Sequence, residues 1–174
     1  MSEAQKRKRM RVFFRDEAAE LDHSIMPLLG VDESVKAGLA SLGAGGHDPR
    51  SGGRALMLFR EPGEQGMSLT LVWLKSGFVQ PRHSHDGDCL YYVIGGSLQL
   101  GARTLRKGDG FFIPADAAYT YEAGPEGVEI LEFRNATRFH LVFRNNEPAH
   151  WARMAQAVAA HGADWPGEAP PSER

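Results

Sequence analysis

Between about residue 55 and residue 144 the chain offers around eight short apolar runs, each closed by turn-forming residues and none separated from the next by a helical stretch. They read ALMLF, MSLTLVWL, CLYYVI, GSLQL, GFFIP, AYTYE, VEILEF and FHLVF, with Gly, Asp, Asn or Pro clusters between them. In MSLTLVWL the side chains alternate, which places Met67, Leu69, Leu71 and Trp73 on one face of a strand. Parallel strands need long crossovers, usually helical, and this spacing leaves no room for them. The pattern predicts an all-β sandwich or barrel.

The flanks differ in composition and divide the chain into three parts. Residues 1–54 form an N-terminal arm. Its first eleven residues carry Lys6, Arg7, Lys8, Arg9 and Arg11, which read as a solvated tail, with contact to an anionic surface as the functional alternative. From Val12 to Leu42 one or two short helices are expected, with Asp32 or Ser34 as N-cap and Gly43 as stop. The stretch GAGGHDPRSGG, Gly43 to Gly53, is a loop leading to the barrel at 55–144. Residues 145–174 hold HWARMAQAVAAHG, whose Trp151, Met154 and Val158 recur at helical spacing, and then a polar tail, GEAPPSER, expected to be disordered.

Composition narrows the function classes. A net charge of −2 provides no global field to attract nucleic acid or anionic lipid. Cys89 is the sole cysteine, so no intramolecular disulfide can form, and a reducing, cytoplasmic setting is expected. No apolar run reaches the ~20 residues of a membrane span, and no apolar segment follows the basic start as a secretory signal requires. No helix-turn-helix pattern is evident. A small-molecule partner, without nucleic acid or membrane, is the expectation.

The chemistry concentrates in GFVQPRHSHDGDCLYYVIGGSL. His83 and His85 stand two apart on an expected strand, so both imidazoles project from one face and can converge on one metal ion. The segment resembles the first cupin motif, G-x(5)-H-x-H-x(3,4)-E-x(6)-G. Gly77, His83, His85, Cys89 and Gly96 reproduce its spacings. A second cupin motif, G-x(5)-P-x-G-x(2)-H-x(3)-N, is matched at Gly108 and Pro114, after the turn RKGDG. The resemblance implies a cupin-type double-stranded β-helix, that is a jelly-roll barrel, with a short N-terminal helical arm and a C-terminal helix. It also implies a divalent metal (Fe, Zn, Mn, Ni or Cu) in the barrel.

Departures from the motifs bear directly on the site. The motif glutamate position holds Cys89, the second-motif histidine position Tyr119, its glycine position Asp116 and its asparagine position Ala123. Three readings stay open. Cys89 and Tyr119 both ligate, as thiolate and phenolate. Alternatively the histidines hold the ion with water or a chelating substrate, helped by Asp86, Asp88 or Glu132. In the third, the metal is lost and the barrel is an apolar pocket, with Cys89 and Tyr119 as core residues. The assigned metal ligands are His83, His85 and Cys89, and the assigned catalytic residues Tyr119 and Tyr91, since Tyr91 shares the face of Cys89 and Gln99 could share it too. Core packing is the competing role for these aromatics, as it is for Phe111, Phe112 and Tyr121. His23, His47, His140, His150 and His161 lack ligand spacing and read as surface or loop residues.

The resemblance implies a metal-binding cupin that acts on a small oxygenated organic molecule as a dioxygenase or lyase. The alternative is a non-catalytic binding or sensing cupin with a degenerate metal site. A homodimer is expected, since single-domain cupins pair through an outer sheet. No equivalent of the His–Asp acid/base pair of metal-independent cupin epimerases stands in this sequence.

Overall fold

The computed structural model describes residues 10–63, 66–144 and 147–174. Among these residues the sequence folds into ten strands and two α-helices. In chain order they are β1 (Ala19–Glu20), β2 (Leu28–Leu29), α1 (Glu33–Ser41), β3 (Gly53–Arg60), β4 (Ser68–Leu74), β5 (His83–Ser84) and β6 (Cys89–Leu100). Then follow β7 (Arg103–Arg106), β8 (Gly110–Ile113), β9 (Glu122–Arg134), β10 (Leu141–Phe143) and α2 (Pro148–His161). The larger sheet runs β1-β3-β4-β9-β6-β7, with β8 also paired to β6; the smaller runs β2-β10-β5. The result is the expected all-β barrel of two sheets. Residues 6–9 of the basic start lie outside the described residues.

Strand β4 shows how alternation builds the barrel. Its inward side chains are Ser68, Thr70, Val72 and Leu74, all at most 7% exposed. The face of Met67, Leu69, Leu71 and Trp73 therefore turns outward, with Met67 itself exposed. Opposite β4 lies β9, in the register Thr70↔Glu132 and Val72↔Ile130, so every second residue of β9 also enters the lumen. The lumen core comprises Val72, Leu74, Tyr91, Val93, Leu98, Tyr121, Val128 and Ile130.

Three details differ from the sequence reading. CLYYVI and GSLQL are one continuous strand, β6, because the glycines between them form bulges rather than a turn. Gly96 has φ 68°, and a Cβ there would meet the carbonyl oxygen of Gly127 at 2.1 Å, so no other residue fits. AYTYE is not a full strand; Tyr119 makes an isolated bridge to His83, and β9 begins at Glu122. The polar hairpin strand β7 carries too little apolar signal to announce itself.

The arm and tail pack onto this barrel. Asp32 caps α1, its carboxylate accepting from the Val35 amide at 2.8 Å. β1 pairs with β3 and β2 with β10, so the arm contributes edge strands as well as a helix. A second core forms where Val35, Leu42, Trp151, Met154, Val158 and Trp165 meet Val79 and Phe143. Expected to be disordered, the tail instead lies against the barrel. Trp165, just before the tail, is fully buried, with its indole N–H donating to the Ser76 carbonyl at 2.9 Å. Glu168 accepts from Ser76, and Glu129 accepts from the Ser172 amide at 2.8 Å. Composition hid this because the tail docks through two carboxylates, Glu168 and Glu129, and through the turn at Trp165 that precedes it, rather than through an apolar run.

Candidate functional site

Short strand β5 carries His83 and its continuation carries His85, both almost completely buried. Two carbonyl contacts set their chemistry. His83 Nδ1 lies 2.7 Å from the Pro81 carbonyl oxygen, and His85 Nδ1 lies 2.7 Å from the His140 carbonyl oxygen. A carbonyl only accepts, so Nδ1 carries the proton in both rings and Nε2 keeps its lone pair. The rings stand edge to face, 5.1 Å between centroids, and both line a lumen cavity of about 230 Å3. Burial pushes the His83 pKa down to about 4 and that of His85 to about 2, with the Arg134 charge adding to both. Neutral imidazoles with unprotonated Nε2 atoms are what a metal ligand or an acceptor base needs.

A directional hydrogen-bond chain ends on His83. Nε2 of that ring must accept, so the Tyr119 hydroxyl, 3.0 Å away, donates to it. Tyr119 oxygen then accepts from the Tyr91 hydroxyl in a short contact. Arg134 Nη2 approaches the Tyr91 oxygen at 3.5 Å. Burial, reinforced by the Glu132 carboxylate, raises the pKa values of both phenols, which keeps them as O–H donors. Both sequence-assigned tyrosines thus belong to the lumen, Tyr91 at 0% exposure.

Arg134 was absent from the sequence reading, and it organises the floor of the site. Its Nη1 donates to Glu132 Oε2 at 2.7 Å, and its guanidinium stacks 4.1 Å over the Phe139 ring. Burial opposes its charge, but Glu132, followed by Tyr91, Cys89 and Tyr119, more than offsets it and raises its pKa. The signal existed in the sequence: in VEILEFR, Val128, Ile130, Glu132 and Arg134 share one face. Among the described residues, Nε of Arg134 has no hydrogen-bond partner, nor do the buried hydroxyls of Ser68 and Thr70, which sit in register with Arg134 and Glu132.

Other assigned residues fall differently. Cys89 is buried at the lumen wall, its thiol facing the Leu90 carbonyl at 3.9 Å, and burial pushes its pKa up to about 12. Glu132 lines the same cavity as the two histidines, as the inward strand phase requires. Among the described residues no three His, Cys, Asp or Glu side chains stand close enough together to hold an ion. Asp86 and Asp88 point away, accepting from the amides of His140 and Ala115. Gln99 bonds to Gly101 and Thr104 outside the lumen, because the β6 bulges shift the strand phase before it. His140 pairs with Asp86 at 3.0 Å and serves the site only through its carbonyl.

Asp116 explains one motif departure. It occupies the glycine position and has φ 62°, in the left-handed region. Aspartate is among the few residues that tolerate this backbone, so the turn survives, and the Asp116 amide donates to the His85 carbonyl at 2.7 Å.

No family model matches the chain, and no curated protein matches it in sequence. Solved structures do match. The chain is similar to the polyketide cyclase RemF from Streptomyces resistomycificus, at 17% identity and TM-score 0.54, over 87% of this chain and 98% of that one. It is also similar to an RmlC-like cupin protein from Ralstonia eutropha, at 14% identity and TM-score 0.54, over 95% of this chain and 94% of that one. These likenesses concern the fold: the chain has the cupin fold.

Proposed function

We propose that the lumen is a metal-assisted enzyme site for a small oxygenated organic molecule, of the dioxygenase or lyase type, with His83 and His85 as the protein's metal ligands. The observation that carries this reading is the pair of backbone carbonyls that hold both Nδ1–H groups and leave Nε2 unprotonated on two residues that line one cavity. The donor chemistry fits a divalent ion at these two nitrogens, with remaining positions filled by solvent or by substrate oxygens. A bound ion would supply Lewis acidity toward those oxygens.

The chain's own residues do the rest. Tyr119, with its proton held on the phenol, is the donor within reach of anything bound at His83 Nε2. Tyr91 and Arg134 position Tyr119, and the Glu132–Arg134 pair keeps the floor electrically balanced. Cys89 acts as wall packing in this reading.

Elemental analysis of protein purified without chelators tests it, with the His83→Ala/His85→Ala variant beside the wild type. Metal in the wild type and its loss in the variant are expected, and equal content in both defeats the assignment. A binding module without turnover remains the second reading, favoured by the small volume and full burial of the lumen groups. Retention of a ligand through purification, without turnover, would select it.

A further inference from the structure

A larger cavity lies outside the lumen, between α1, α2 and the Trp165 turn, with a volume of about 560 Å3. It falls within the range of small-molecule sites.

Its wall is chemically one-sided. Leu39, Leu42, Val79, Met154 and Val158 supply apolar surface, and among the described residues Asp48 and Arg50 are the only charged ones in the lining. Those two are spent on each other: Arg50 Nη2 donates to Asp48 Oδ2 at 2.9 Å and Nε to Oδ1 at 3.0 Å. The one indole N–H in the wall, that of Trp165, is already bonded to Ser76. Beyond that paired, solvent-exposed rim, the described lining carries no charged side chain. Nor does residues 1–9, MSEAQKRKR, offer an apolar segment to match this lining.

The partition between this cavity and the lumen is the segment 78–83. Val79 and Pro81 face the outer cavity, Gln80 and His83 face the lumen, and Phe78 borders both. The Pro81 carbonyl is the group that fixes the His83 ring, and α2 clamps the same segment through His150, whose Nε2 donates to the Gln80 carbonyl at 3.1 Å. An occupant of the outer cavity would therefore stand one residue layer from the lumen imidazoles.

We infer that this cavity is a second ligand site, for an uncharged apolar small molecule with an aromatic or alicyclic body. Burial of apolar surface is its driving force, at ~25 cal/mol per Å2. The inference is independent of any metal or turnover in the lumen.

The probe N-phenyl-1-naphthylamine, uncharged and aromatic, tests it on the full chain through its own emission and energy transfer from tryptophan. Saturable binding with one probe per chain is expected. Ala157→Phe, which fills the cavity, should weaken binding at least tenfold. Leu39→Glu, at a partly exposed rim position that tolerates charge, should do the same and decides the matter if Ala157→Phe fails to fold. The His83→Ala/His85→Ala variant should bind the probe as the wild type does, which separates this site from the lumen. Non-saturable binding, or wild-type affinity in folded Leu39→Glu, overturns the inference. So does affinity that falls as protein concentration rises, since a second copy of the chain would then be the occupant.

Discussion

The Tyr119 hydroxyl and Nε2 of His83 lie 3.0 Å apart, and that lone pair can accept from the phenol or bind an ion, but not both. Metal binding at His83 must therefore displace the Tyr119 hydrogen bond, unless the phenol itself becomes a ligand.

Tyr119→Phe distinguishes these cases. If Tyr119 is the proton donor of the proposed site, its removal frees Nε2, and cobalt(II) affinity should stay equal or rise by up to about tenfold, the worth of one hydrogen bond. Titration of chelator-treated protein, followed by the cobalt absorption spectrum, provides the readout. A clear fall in affinity would make the phenol oxygen a ligand.

Glu132 and Arg134 form a buried pair with side chains 9% and 1% exposed. Removing one partner strands a charge in the lumen floor, whereas removing both does not. Arg134→Met should cost about 3–5 kcal/mol, visible as a large drop in Tm. The double variant Glu132→Leu/Arg134→Met should recover most of that loss. Equal destabilisation by the single and double variants would mean that the pair contributes packing alone.

The buried histidines make an acid-side prediction for the chelator-treated protein. Above pH 6.5 the rings are neutral in both folded and unfolded chains, and they give stability no pH slope. Below that, the unfolded chain takes up protons that the fold refuses until about 4 at His83 and about 2 at His85. Stability should fall with acidification, by up to about 1.4 kcal/mol per pH unit for each ring. Denaturant midpoints between pH 7 and pH 4.5 check this, and the His83→Gln/His85→Gln variant should flatten the slope. A wild-type midpoint independent of pH over that range would show that the rings are not held neutral by burial.

How far these groups could be read in advance depended on whether their signal was periodic. His83 and His85 were legible because a two-residue spacing fixes their face whatever the rest of the chain does. Tyr91 and Glu132 followed from strand phase in the same way, and Arg134 was missed only because a charged residue at a strand end ordinarily reads as exposed. Gln99 went wrong where the phase argument fails: the bulges at Gly95 and Gly96 insert residues that no alternation reveals. The carbonyls of Pro81 and His140, which fix the imidazole tautomers, leave no trace in side-chain identity. The burial of Trp165, just ahead of the tail, is likewise a tertiary fact, since three residues around one tryptophan have no period.

The outer sheet face supports one more expectation, self-association. Phe59, Leu69, Phe133, Leu90 and Phe112 stand in direct register across β3, β4, β9, β6 and β8, making an unbroken apolar row. Leu90 and Phe112 are more than half exposed, and Tyr92 lies beside them. The arm covers one end of the row, where Phe13 and Arg11 pack on Phe59. Scattered apolar residues are ordinary on a surface, but the contiguous exposed end at Leu90 and Phe112 calls for a cover. Every residue of the row comes from a rigid strand, so the same face on a second copy can stack against it as one sheet packs on another. Sedimentation should show a dimer at micromolar concentration, and Leu90→Glu/Phe112→Glu should shift it to monomer with Tm of the monomeric barrel retained. These positions are solvent-facing in the single chain, so the charges cost the fold little. A wild type that sediments as a monomer would leave the row without this role, and a double variant that stays dimeric would place the interface on another face.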